Sequence, residues 1–126
     1  MQDGATAQLR RDWEYVEGWG MSSGSAARVL RPRCTEELIG AIESARRDGV
    51  TLAPRGAGCS YGDASSQSDG RVLDLTRMNK ILSFDAETGV LEAEAGLTIE
   101  GAWKHILSSG WWPYVVSGTM YPTIGG

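Results

Sequence analysis

"VTLAPRGAGCSYGDASS", residues 50–66, begins as a strand and ends as a loop. Val50 to Pro54 read as a short extended run that delivers the chain into a segment with neither helical nor strand periodicity. Gly56, Gly58 and Gly62 lie in that segment together with Arg55, Ser60 and Asp63, groups that contact anions or bind backbone. Glycine supplies 17 of the 126 residues, roughly twice the usual share of about 7%. The glycines gather where the chain must turn or let something approach its backbone closely.

Upstream, "ARVLRP" from Ala27 reads as a strand whose ladder Pro32 stops. A helix follows, with Thr35 as its expected cap, Glu36 and Glu37 in its first turn, Arg46 and Arg47 in its last, and Gly49 at its end. That charge order suits the helix macrodipole. Leu38, Ile42 and Ala45 form its expected buried face, with Ile39 and Ala41 beside it. The glycine loop therefore leaves the second strand of a strand, helix, strand unit. Residues 1–25 read as an extended N-terminal arm whose Trp13, Tyr15 and Trp19 pin it to a core.

Downstream, Arg71 to Leu75, Lys80 to Asp85 and the "VLEAEAG" run read as strands, the last two joined by a turn over Ala86 to Gly89. In the third, Leu91, Ala93 and Ala95 alternate with Glu92 and Glu94, as expected of a strand with one wet face. Thr98 caps a second helix with Ile99, Ala102, Trp103, Ile106 and Leu107 on one face, a Glu100 and Lys104 pair, and Gly110 at its end. His105 falls about 130° from the centre of that stripe at 100° per residue, the position of a solvated side chain. Trp103, Trp111, Trp112 and Tyr114 read as core in preference to a wall for a bound ring. These elements give an α+β fold: a small mixed sheet with two helices.

Composition removes several functional classes. A net charge of −4, with no basic block longer than two residues, offers no footprint for a nucleic-acid backbone. No apolar run approaches the roughly 20 residues that span a bilayer, and no signal-type apolar core opens the chain, so a cytoplasmic setting is expected. Cys34 and Cys59 are 25 residues apart and one histidine accompanies them, too few ligands for a zinc or iron–sulfur site. Cys59 reads as a small filler, because no histidine near it in sequence would make a thiolate pair.

The loop chemistry points to phosphate. A pyrophosphate needs several converging donors, which backbone N–H groups supply when successive residues turn inward. Gly56 and Gly58 allow that turn, Ser60 adds a hydroxyl, and Arg55 adds charge. The run is neither a dinucleotide fingerprint, since no helix follows it, nor a phosphate loop, since no Lys-Ser/Thr pair does. "SGTMYPTIGG", residues 117–126, supplies a second small, hydroxyl-bearing loop, and two such loops can clamp one extended ligand.

Taken in order, "GWG", "RGAGCSYGD", "VLDLTRMNKI" and "SGTMYPTIGG" resemble the FAD-linked oxidase family, with its vanillyl-alcohol oxidase or PCMH-type FAD-binding domain. The match is closest to the branch of decaprenylphosphoryl-ribose oxidase and the alditol oxidases. The resemblance implies the first lobe of such a domain over residues 26–126, incomplete at its C-terminus, so that the chain is expected to be the N-terminal part of a longer protein. It also implies that Pro54, Arg55, Gly56, Ala57, Gly58, Cys59, Ser60, Tyr61, Gly62, Asp63 and Ala64 wrap the FAD pyrophosphate, with Tyr61 toward the flavin. Ser117, Gly118, Thr119, Thr123, Ile124, Gly125 and Gly126 would contact the cofactor further along.

Several relatives tether the flavin through a histidine at the position occupied here by Cys59, so noncovalent FAD is expected. The family's substrate-binding residues lie in a second domain, and no catalytic acid or base carries over to this chain. The implied activity is oxidation of a CH–OH group in a small-molecule sugar, polyol or hydroxy acid. Two other readings compete: a non-catalytic module that binds a nucleotide or a protein partner, and a structural domain whose glycines only make turns.

Overall fold

The computed structural model describes residues 13–125. Its strands are β1 (Trp13–Glu17), β2 (Gly24–Leu30), β3 (Leu52–Arg55), β4 (Arg71–Asp74), β5 (Ile81–Asp85) and β6 (Val90–Ala93). Helix α1 (Thr35–Arg47) connects β2 to β3, and α2 (Ile99–Ile106) runs into a 3-10 turn at Leu107–Ser109.

Four strands form a mixed sheet in the order β1-β2-β4-β3, and β5 and β6 form a separate antiparallel hairpin. In the larger sheet β4 lies parallel to both β2 and β3, while β1 is antiparallel to β2. Val72 and Leu73, adjacent on β4, are both buried, as a central parallel strand requires. The core cluster of Val16, Ala27 and Val72, with Val29 against it, joins three strands.

Several expectations need correction, among them the core reading of Trp112 and Tyr114, which are exposed. Part of the supposed arm is strand β1, and its neighbour β2 starts at Gly24, three residues before "ARVLRP". Thr35 is the first helical residue of α1, not its cap. Cys34 occupies the cap position with extended backbone and no side-chain hydrogen bond, and the Glu37 carboxylate instead accepts the Arg33 N–H at 2.8 Å.

The expected face of α1 is only partly covered: Ala45 is buried, but Ile39 and Ile42 are about half exposed. This helix meets the sheet through polar contacts, with Arg71 reaching Ser44 and Asp48. Helix α2 follows its sequence more closely. The Thr98 hydroxyl accepts the Gly101 N–H at 3.0 Å, Lys104 pairs with Glu100, and Gly110 closes the end with φ 81°. Leu107 leaves the buried stripe because the α-helix has already tightened there, and His105 is exposed with its ring edge-on to Phe84. Glu92 faces solvent as expected.

A charge network joins β1, the end of β2 and β4. Arg31 donates to both Glu14 carboxylate oxygens at 2.7 and 2.6 Å and to Asp74 at 3.1 Å. Burial pushes the Asp74 carboxyl up, but hydrogen bonds from the Thr76 hydroxyl and amide, with the Arg31 charge, outweigh it and hold Asp74 below its ordinary value. A carboxyl that titrates lower folded than unfolded adds stability above its unfolded value and loses it as the pH falls through the folded one. Urea unfolding should therefore show stability falling between about pH 4 and lower values, and Asp74→Asn should flatten that fall. An unchanged acid slope would contradict this role.

No helix among the described residues is long and apolar enough to cross a membrane.

Candidate functional site

Strand β3 ends at Arg55, and the loop that follows reaches the segment after β1, where the Trp19 and Gly20 N–H groups meet it. The Arg55 guanidinium is engaged within the protein: it donates to the Ser65 hydroxyl at 3.1 Å and to the Glu17 carbonyl at 2.9 Å. Gly58 sits over it with φ 73°, and a Cβ there would lie 2.2 Å from Arg55 Nη2. The loop thus rests on the arginine. Further along, the Ser66 N–H and hydroxyl donate to the Asp63 carbonyl at 2.9 and 3.1 Å.

The tail reaches the same place by a route that sequence periodicity does not reveal. The first turn of a helix has N–H groups without helical partners, and here the Ile99 and Glu100 N–H groups donate to Pro122 and Met120 carbonyls at 2.9 and 3.0 Å. Ile124 and Gly125 in turn donate to the Leu97 and Ala95 carbonyls at 2.8 and 3.0 Å, and Thr98 forms a bridge with Thr123. Helix α2 therefore seats residues 120–125 against the chain that enters it.

The two loops meet around one cavity of about 390 Å³, within the usual range of small-molecule sites. Residues 54–60 and Ala64 line it from the first loop, and Ser117, Thr123 and Gly125 from the tail. Tyr61, Gly62, Asp63, Gly118, Thr119 and Ile124 do not line it. Tyr61 instead faces a neighbouring groove with Trp19, the two rings edge to face at 5.4 Å between centroids. Gly126 lies outside the described residues.

Sequence reading missed Ser65, Leu75, Ala95 and Pro122, which complete the lining. Ser65 could have been suspected as the partner that a half-buried arginine needs. Leu75 and Ala95 are ordinary apolar residues placed there by β4 and by the turn after β6.

Two features set the polar character of the cavity. Thr123 is 5% exposed, and its hydroxyl has no hydrogen-bond partner among the described residues; such a group costs stability unless a ligand or water satisfies it. Gly56 lies against that hydroxyl, where a Cβ would come within 1.9 Å of Thr123 Oγ1. The Arg55 guanidinium lines the cavity but spends its donors on Ser65 and Glu17, and among the described residues no carboxylate forms an ion pair with it. Backbone amides and hydroxyls suit a phosphate-bearing ligand. No cluster of His, Cys, Asp or Glu among the described residues could hold a metal ion.

Comparison with known proteins identifies the family. The model of a family described as "FAD binding domain" matches residues 26–126. Decaprenylphosphoryl-β-D-ribose oxidase of Mycolicibacterium smegmatis is 34% identical over 123 residues, covering 97% of this chain and 27% of the relative. Mitochondrial D-2-hydroxyglutarate dehydrogenase of Bos taurus is 28% identical, covering 69% of this chain and 16% of the relative. Among solved structures, cholesterol oxidase from B. sterolicum superimposes with a TM-score of 0.77 at 18% identity, over 90% of this chain and 23% of that one. The chain spans about a quarter of the length of the first of these relatives.

Proposed function

The chain belongs to the FAD binding domain family of FAD-linked oxidoreductases, and on that footing we propose that its two loops clamp FAD noncovalently within an enzyme that oxidises a CH–OH group of a sugar, polyol or hydroxy acid. The observation that carries the site is the shared cavity, in which a Thr123 hydroxyl without a partner among the described residues meets the Gly56 backbone. These groups fit the diphosphate of the cofactor. Gly56 permits close approach, Ser60 offers a hydroxyl, and the amides from Ala57 onward offer N–H donors.

Bound FAD supplies a two-electron acceptor for an alcohol carbon. The chain's own part is to hold and orient that acceptor, since none of its described residues is assigned as acid or base. The substrate class rests on the relatives, whose names point to a ribose and to a hydroxy acid. Cys59 occupies the loop position where a histidine would be the tether, and its thiol makes only a long contact of 4.0 Å to the Ala57 carbonyl.

The experiment is a fluorescence titration with FAD, followed by mass spectrometry of the denatured complex. The expected result is saturable binding and a polypeptide mass free of flavin. A flavin adduct would overturn noncovalent binding; absence of binding by the folded full-length protein would overturn the clamp.

A further inference from the structure

The "GWG" motif has no place in the cavity, yet it is built tightly against the cofactor loop. The Trp19 N–H donates to the Gly58 carbonyl at 2.8 Å and the Gly20 N–H to the Ser60 carbonyl at 3.3 Å. The Ser22 hydroxyl donates to the Tyr61 carbonyl at 2.6 Å. Both glycines are required by this approach. A Cβ on Gly18 would fall 2.5 Å from the Ser60 carbonyl oxygen, and one on Gly20 would fall 2.3 Å from that of Tyr61. The segment is anchored at its start by Arg55, whose guanidinium holds the Glu17 carbonyl and, on the loop side, Ser65.

This arrangement fixes the direction of the loop amides. A trans peptide points its C=O and N–H in opposite directions, and no cis bond occurs among the described residues. With the Gly58 and Ser60 carbonyls turned toward Trp19 and Gly20, the N–H groups of Cys59 and Tyr61 are turned away from them. Neither N–H has a backbone acceptor among the described residues. Cys59 and Ser60 line the cavity, and Gly18, Trp19 and Gly20 line only the groove beside it.

We propose that residues 18–22 and the Arg55 guanidinium are positioning groups that set the carbonyls of Gly58 and Ser60 outward, so that the Cys59 N–H, at the cavity lining, faces the FAD diphosphate. Arg55 then works by geometry, as a strap between β1 and the loop, and not as the ion-pair partner of the phosphates. The inference rests on the FAD reading above.

The test measures FAD dissociation constants for the wild type, Arg55→Lys, Arg55→Gln, Gly20→Ala and Ser22→Ala in the full-length protein, at low and high salt. The lysine keeps the charge but cannot bridge Glu17 and Ser65 with a planar fork. Expected are losses of about tenfold or more in both Arg55 variants, with the same salt dependence as the wild type. Gly20→Ala should lose about as much. Ser22→Ala, at an exposed side chain, should lose roughly threefold with an unchanged melting temperature of the apoprotein.

An Arg55→Lys variant that binds like the wild type would overturn the proposal. So would a loss in Arg55→Gln that salt abolishes, because screening acts on ion pairs and not on loop shape. Should Gly20→Ala fail to fold, Ser22→Ala and the Arg55 pair decide the matter. A wild type that binds no FAD would instead refute the underlying FAD reading, which separates the two failures.

Discussion

Gly56→Val is expected to raise the FAD dissociation constant at least about 100-fold, the largest effect of any single change in the two loops. The first added carbon would fall 1.9 Å from Thr123 Oγ1 and 3.2 Å from Thr123 Cβ. Thr123 cannot retreat: it bridges Thr98, and its neighbours Ile124 and Gly125 are bonded to Leu97 and Ala95. The valine must therefore push the loops apart or fill the space between them. Fluorescence titration measures the loss, and circular dichroism should show that α1 and α2 persist. Gly62→Ala is the control, since a Cβ there meets nothing within 4 Å and should leave affinity unchanged. Retained affinity in Gly56→Val would remove the first loop from the site.

Gly96→Ala is expected to have the largest effect on stability, about 3 kcal/mol. Gly96 is buried where the turn after β6 passes the segment after β4. A Cβ would lie 2.1 Å from the Leu75 carbonyl oxygen and 2.7 Å from that of Met78. Both are backbone atoms, and the Gly96 N–H already donates to Met78 at 2.8 Å, so neither side yields cheaply. Because Ala95 and Leu97 hold the tail, the same displacement should also weaken FAD binding. Urea denaturation of the apoprotein checks the first effect and titration the second. A loss below about 1 kcal/mol would mean that this crossing is loosely packed.

The parts of this fold that were legible in sequence are those set by local chemistry. Thr98 caps α2 and Gly110 ends the 3-10 turn that follows it, as their side-chain and backbone properties dictate, and the turn before β6 ends at Gly89 with φ 74°. Both glycine-bearing loops were legible too, because turn residues and hydroxyls concentrate there. Strand β1 was not. Its one buried residue is Val16, while Trp13 and Tyr15 face outward, so no alternation marks it. The insertion of β4 between β2 and β3 is a tertiary choice whose only local trace is the adjacent buried pair Val72 and Leu73.

Arg55 shows the limit most clearly. Its identity and position suggested a phosphate contact, but its hydrogen bonds go to Ser65 and Glu17, the latter 38 residues away in sequence. Similarly, the closeness of Gly56 to Thr123 depends on the first-turn amides of α2 accepting the tail as their partner. Such a connection has no signature in either segment alone.

Strand β1 has a practical consequence for handling the protein. The family match begins at residue 26, inside β2, and a truncation designed on that boundary would delete β1 and the first part of β2. The rest of β2 would lose its antiparallel partner and become the rim of the sheet, with Ala27 uncovered where Val16 had packed. An unpaired rim of this kind invites pairing between molecules. A shortened version would thus be prone to self-association through β2, and poor solubility of such a fragment would report on its cut and not on the cofactor site.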